Sequence, residues 1–389
     1  MFVFTRTLPG VVGVGEWLGR GLHVRITRSG AVTLNEHTGA QVRRLCAVLG
    51  LAEQADEVGA VLADIIGPAG TRALDEPPLW RSDVADDHTP VEYSVAFEED
   101  GTHTLRLLVE SVARKPGPTA NLAAALSCLD RLAQRYPLAL DRFDAVRGLF
   151  LPDEPRGVFS LWFSIVVTRS RVAVKIYLNP EVHGQAAAPG LVAAGLDRLG
   201  LTAAWPDLSS HAPRPTSTLD RFSFFAIDLD DTPRSRVKVY QSHFRAGLRE
   251  LTHLGAACPL TDADVLADFD ATIGGRESYD GRPLVTSYIY LAGQREPSGF
   301  SVYLPVRDYV PDDAVALART KTLLSAHGFD AAVLDRAIAA VTDRPLESGV
   351  GLIAHVSLRM GRPRPGVTVY LSAEAYAVAA PGGVAAGAA

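Results

Sequence analysis

Arg236-Val-Lys238-Val-Tyr240, inside SRVKVYQSH (residues 235–243), alternates cation, valine, cation, valine, aromatic. That is the period of a β-strand, so Arg236, Lys238 and Tyr240 share one face and Val237 and Val239 the other. The valines need an apolar layer to pack on; the opposite face presents two positive charges and a phenol. One solvated strand could look this way, but Val174-Lys175-Ile176-Tyr177-Leu178 repeats the arrangement.

Working outward, the chain reads as strand pairs separated by helices. The pairs are 91–97 with 104–109, 159–167 with 171–178, 221–228 with 236–241, 285–291 with 299–305, and 350–359 with 366–371. Helical periodicity covers 38–50, 58–67, 119–135, 189–199, 246–255, 262–273, 312–327 and 331–341, and a Pro- and Asp-rich connector fills 76–90. Residues 1–35 allow one or two short strands.

Five hairpins interleaved with helices form an internal structural repeat. Ten antiparallel strands tend to curl, and closure removes exposed edges. The reading is therefore an α+β fold: a ten-stranded antiparallel β-barrel ringed by helices, with a lumen wide enough for ligands. One domain would span 1–376, with a helical N-terminal part at about 38–67 and the barrel at about 91–372. The small-residue tail, 377–389, reads as disordered. The rival is two α+β domains split near Pro215.

Composition narrows the function. The net charge of −6 gives no support to a nucleic-acid partner. No apolar run reaches the roughly 18 residues of a membrane span. Cys46, Cys128 and Cys258 are far apart and lack metal-ligand spacing, pointing to a reducing, cytoplasmic setting and away from structural zinc.

The inward strand faces carry the chemistry. Their second strands hold Arg106, then Lys175 and Tyr177, then Arg236, Lys238 and Tyr240, then Tyr303, then Tyr370; Arg359 lies in phase with Ser357 and His355. Few carboxylates lie in phase with these cations, and buried unpaired cations are costly, so a multiply charged anion such as a diphosphate is the economical partner. Tyrosine faces beside it would stabilise an allylic cation and exclude water. Glu92, in phase with Ser94 and Ala96, could accept a hydrogen bond from an aromatic N–H and make that ring more nucleophilic.

With those residues assembled, the chain resembles the aromatic prenyltransferases of the dimethylallyltryptophan synthase type, in their bacterial indole-prenylating branch. The resemblance runs from Thr38 to Tyr370 through TGAQVRRLCAVLGL, DDHTPVEYSVAF, LRLLVE, GLFLP, VKIYLNP, FFAIDL, PRSRVKVY and FSVYLPV. It implies the ABBA barrel architecture, dimethylallyl diphosphate as donor and an indole such as L-tryptophan as acceptor. It also implies that Glu92 binds the indole N–H, that Arg106, Lys175, Arg236, Lys238 and Arg359 hold the diphosphate, and that Tyr177, Tyr240, Tyr303 and Tyr370 shield the cation. Arg362 or Arg364 could replace Arg359 if the turn is gapped.

Two departures stand out. Where fungal C4-prenylating relatives carry a lysine, LWFSIVV offers only Trp162; and Ser301 stands where a larger polar residue is common. Separately, Mg²⁺-dependent prenyl transfer needs DDxxD-type clusters, which Asp86-Asp87, Asp230-Asp231 and Asp312-Asp313 do not make. No cofactor is therefore expected, with Mg²⁺ at most stimulatory. Two other readings remain: a non-catalytic barrel binding an anionic isoprenoid, and the same fold acting on another aromatic acceptor or a longer donor.

Overall fold

The structure is a computed structural model that describes residues 12–17, 22–27, 31–214, 218–361 and 364–382. A short hairpin comes first, β1 (Val12–Trp17) with β2 (Leu22–Thr27). Ten further strands close into one antiparallel barrel: β3 (Val91–Phe97), β4 (His103–Glu110), β5 (Leu161–Val167), β6 (Val172–Leu178), β7 (Asp220–Asp228), β8 (Arg236–His243), β9 (Leu284–Leu291), β10 (Gly299–Leu304), β11 (Ile353–Arg359) and β12 (Gly366–Ser372). Each strand pairs with its sequence neighbour, and β12 closes on β3. β6 pairs with β7 through Lys175 and Asp228, so the strands before and after residues 215–217 belong to one closed barrel and not to two separate sheets.

Alternation explains the register. Outward residues such as Tyr93, Val95, Leu107, Val237 and Val239 are fully buried because helices cover them. The outer layer comprises α1 (Leu34–Val48), α2 (Ala55–Ile66), α3 (Pro118–Arg135), α4 (Asp141–Phe150), α5 (Ala188–Arg198), α6 (Ala204–Ser210), α7 (Leu248–Gly255), α8 (Ala263–Ile273), α9 (Asp313–Ala326) and α10 (Ala332–Val341). A capping box between Thr33 and Glu36 starts α1. Tyr93 then ties β3 to α1 by donating to Gln41 Oε1 at 2.9 Å.

Inside, large residues face small ones. Arg106 pairs in register with Ser94, Lys175 with Ser164, Tyr240 with Ser287, Tyr303 with Ser357, Arg359 with Ser301 and Tyr370 with Ser94. Each small partner leaves lumen space beside a long side chain, so the barrel holds a cavity instead of a filled core.

In the stretch expected to be disordered, Ala379 bridges to Val350 and Gly382 N–H donates to Pro311 O at 2.8 Å. Residues 383–389 lie outside the described residues, as does Arg362.

Candidate active site

The five hairpin turns gather at one end of the barrel and the longer helical crossovers at the other, because every second strand leaves its turn in the same direction. Arg236 opens β8 and Arg359 ends β11, which puts both at the turn end, while Arg106 and Lys175 lie midway along β4 and β6, Arg106 reaching Glu98 of the β3–β4 turn and Lys175 pairing in register with Asp228. Glu92, near the start of β3, and Trp162, near the start of β5, lie toward the crossover end. One cavity joins the two ends, and all ten residues singled out in the sequence line it.

The cations fall into two kinds. Arg106 and Arg359 each approach the Glu98 carboxylate to 2.6 Å, Arg359 also reaches Glu99 at 3.0 Å, and Arg236 pairs with Asp228 at 2.7 Å. The expectation of few carboxylates among the cations is thus corrected. Glu98 and Glu99 come from the β3–β4 turn, where strand phase says nothing, and Asp228 ends β7 beside Arg236. Burial alone would raise the Glu98 carboxyl, but Arg106 and Arg359 overcome it and bring it down to about 2. Burial likewise opposes the Asp228 charge, and Arg236 and Lys175 outweigh it, so that carboxyl also lies low.

Lys238 is different. Burial, reinforced by Lys175, Arg236 and Arg106 nearby, pushes its ammonium well below the ordinary lysine range. Its Nζ lies 3.3 Å from the Tyr303 hydroxyl and 5.2 Å from the Tyr240 ring centroid. Lys175 Nζ sits 4.5 Å over the Tyr177 ring. Burial would raise the Tyr177 phenol, but Lys175 and Lys238 hold it below its usual value.

The tyrosines form a belt. Ring centroids are 5.8 Å apart from Tyr177 to Tyr240, 5.7 Å from Tyr240 to Tyr303 and 5.9 Å from Tyr303 to Tyr370. Phe224 joins it, 5.9 Å from Tyr177 and 5.7 Å from Tyr240, and Trp162 stacks on Phe159 at 4.1 Å. Phe224 was legible in principle, being in phase with Ala226 and Asp228.

At the crossover end Glu92 is buried, and that burial lifts its carboxyl to about 8, with Arg307 pulling it down and Asp86 pushing it up. Arg307 Nη1 donates to Ala354 O at 2.8 Å and His355 Nδ1 at 3.1 Å, and its Nε lies 2.8 Å from the half-exposed Asp86 carboxylate. Burial, Arg307 and Arg282 push the His355 imidazolium well below its ordinary range, so the ring is neutral, with Nδ1 accepting and Nε2 carrying the hydrogen. Arg307 sits in a short 3-10 turn after β10, where periodicity gives no signal.

Beside Trp162 in register lies Glu110, which accepts from Ser82 Oγ at 2.5 Å. Burial raises its carboxyl to about 7 against the pull of Ser82 and the indole of Trp162. Among the described residues there is no group of three or more His, Cys, Asp or Glu arranged to hold a metal, and no helix long and apolar enough to cross a membrane.

Comparison with known proteins follows the same line. The tryptophan dimethylallyltransferase family model matches residues 56–337. The chain belongs to this family. Its fold superposes on the 6-dimethylallyltryptophan synthase of Micromonospora olivasterospora with a TM-score of 0.87 and 48% identity, covering 90% of this chain and 100% of that one. The 5-dimethylallyltryptophan synthase of Streptomyces coelicolor gives 0.82 and 36%, with 90% and 100% covered. A curated fungal relative, deoxybrevianamide E synthase of Aspergillus versicolor, is 27% identical over 43% of this chain and 44% of its own length.

Proposed function

We propose that this chain transfers the dimethylallyl group of dimethylallyl diphosphate to the indole ring of L-tryptophan. The observation that carries the reading is the single cavity with cations at one end, Glu92 at the other and an aromatic belt between. Arg106, Lys175, Arg236, Lys238 and Arg359 take the diphosphate. As the allylic C–O bond breaks, its electron pair leaves with the diphosphate, whose growing charge these cations stabilise. Tyr177, Tyr240, Tyr303 and Tyr370 turn their faces to the allyl cation and keep water from it.

Glu92, once ionised, accepts the indole N–H and makes the ring more electron-rich. A ring carbon then forms the new C–C bond, and loss of its proton restores aromaticity. The cations neutralise the leaving group directly, so the transfer needs no metal. Three buried free thiols fit the reducing interior of a cell.

Two finer points have support. Beside Glu92, Asp86 and Arg307 offer one carboxylate and one guanidinium, matching the ammonium and carboxylate of a free amino acid; a cyclic dipeptide has neither charge. Similarity is greater to the 6- than to the 5-dimethylallyltryptophan synthase, which favours attachment at C6.

Incubation of the protein with L-tryptophan, dimethylallyl diphosphate and excess EDTA tests the reading. A mono-dimethylallylated tryptophan, substituted at C6 by NMR, is expected. Transfer to a cyclic dipeptide but not to L-tryptophan would reverse the acceptor assignment; no transfer to any indole would overturn the function.

A further inference from the structure

The reaction cavity reaches the turn end of the barrel at Arg236 and Arg359. A second pocket there is lined by lumen-facing Asp228, Arg236, Ile289, Leu291 and Arg359, together with the loop residues around Arg234. Arg236 and Arg359 line both this pocket and the reaction cavity, so each guanidinium stands on the boundary between them. Outside that boundary lie Arg171, about half exposed and 3.2 Å from Asp230, and Arg234, which is exposed and makes no ion pair among the described residues. Arg142 backs the same rim, donating to Ser235 Oγ at 2.6 Å and facing Asp228 and Asp230.

The charge pattern is built for exchange. Each of the three rim carboxylates already has an arginine: Glu99 has Arg359, Asp228 has Arg236 and Asp230 has Arg171. Neither guanidinium at the boundary is therefore left uncompensated: Arg236 and Arg359 are both paired. An arriving polyanion can replace a carboxylate at each arginine in turn without passing through an unpaired state. Arg234 and Arg171 supply the outermost steps, and the four arginines of the pocket lining outnumber its three carboxylates, a net positive charge that favours an anion.

We infer that this turn-end opening is a separate mouth for diphosphate, through which the leaving group departs while the indole product still fills the Glu92 end. The inference rests on the assignment of the inner cations to diphosphate made above. With one mouth only, diphosphate lying behind the indole could not leave before it. With two mouths, the products leave independently.

The test uses the full-length protein, with inorganic diphosphate and L-tryptophan as separate probes in stopped-flow fluorescence. Association and dissociation rates of diphosphate are measured with and without saturating L-tryptophan, then repeated for the Arg171→Ala/Arg234→Ala variant. Both positions are solvent-exposed loop or strand-edge sites, and thermal melting checks the fold.

The rates are expected to change less than about twofold when L-tryptophan is bound. In the variant, diphosphate association should slow by roughly tenfold and lose part of its salt dependence, with L-tryptophan association unaltered. A block of diphosphate exchange by L-tryptophan, or a variant indistinguishable from the parent protein, overturns the second mouth. Failure of the parent protein to bind diphosphate at all, with Lys238→Ala no different, overturns instead the assignment of the inner cations.

Discussion

Lys238 Nζ lies 3.3 Å from the Tyr303 hydroxyl and, unlike Arg236 two residues before it, has no carboxylate in salt-bridge range among the described residues. Arg236 is held charged by Asp228, while Lys238 is pushed well below the ordinary lysine range by burial and by its cationic neighbours. A diphosphate beside Lys238 reverses that push. Diphosphate binding is therefore expected to take up protons, and affinity to fall as pH rises through the lowered Lys238 value. Calorimetry in two buffers of different ionisation enthalpy reads the uptake, and Lys238→Met should remove most of it. Equal apparent enthalpies in both buffers would contradict the assignment.

Glu92 gives a pH dependence of opposite sense. Burial lifts its carboxyl to about 8, so in the free protein it ionises only on the alkaline side of neutrality. If the carboxylate accepts the indole N–H, kcat/KM for L-tryptophan should rise with pH up to about 8 and then level. Stability runs the other way. Between the unfolded carboxylate range and about 8 the folded state holds a proton that the unfolded state has lost, so stability falls as pH rises through that window. Glu92→Gln should flatten both curves, as read in pH-rate profiles and urea melts.

Glu98 should trade stability for affinity. It sits between Arg106 and Arg359, each at 2.6 Å, and its carboxyl is lowered to about 2. Its stabilisation is thus present above the ordinary carboxylate range and disappears as pH falls toward about 2. Glu98→Gln leaves two partly buried guanidiniums short of a partner, a loss of about 1–3 kcal/mol once solvent screening is allowed for. The same change removes the competitor of the incoming anion. The variant should melt lower yet bind inorganic diphosphate more tightly; weaker binding would count against the exchange of carboxylate for diphosphate.

The tyrosine belt should govern where the allyl cation goes. A cation facing an aromatic ring gains about 0.5–2 kcal/mol. Tyr303→Leu and Tyr240→Leu should therefore slow transfer and raise the share of dimethylallyl alcohol formed by water capture. Tyr240→Phe keeps the ring and should change that ratio less. Gas chromatography of the alcohol against liquid chromatography of the prenylated indole measures the partition.

Much of this was legible in the chain because a barrel strand writes its two environments in alternation. Arg236, Lys238 and Tyr240 reveal their common face without any knowledge of the neighbouring strand, and all ten strands surface within a few residues of their observed limits. What period cannot show is convergence from turns. Glu98, Glu99 and Arg307 enter the site from loops, where their neighbours in sequence say nothing of their neighbours in space. The short helices α4 and α6 were missed as well: Gly148 lies within the first and Pro206 within the second, and both residues argue locally against helix.

The central claim, that Glu92 receives the indole N–H, is tested most directly by crossing Glu92→Gln with 1-methyltryptophan, which has no N–H to give. With the parent protein, replacing L-tryptophan by its 1-methyl form should lower kcat/KM by about the factor that Glu92→Gln imposes on L-tryptophan, on the order of a hundredfold or more. Combining both changes should then cost little beyond either one alone, because they remove the same hydrogen bond. Fully multiplicative losses, or an unimpaired Glu92→Gln variant, would contradict the claim.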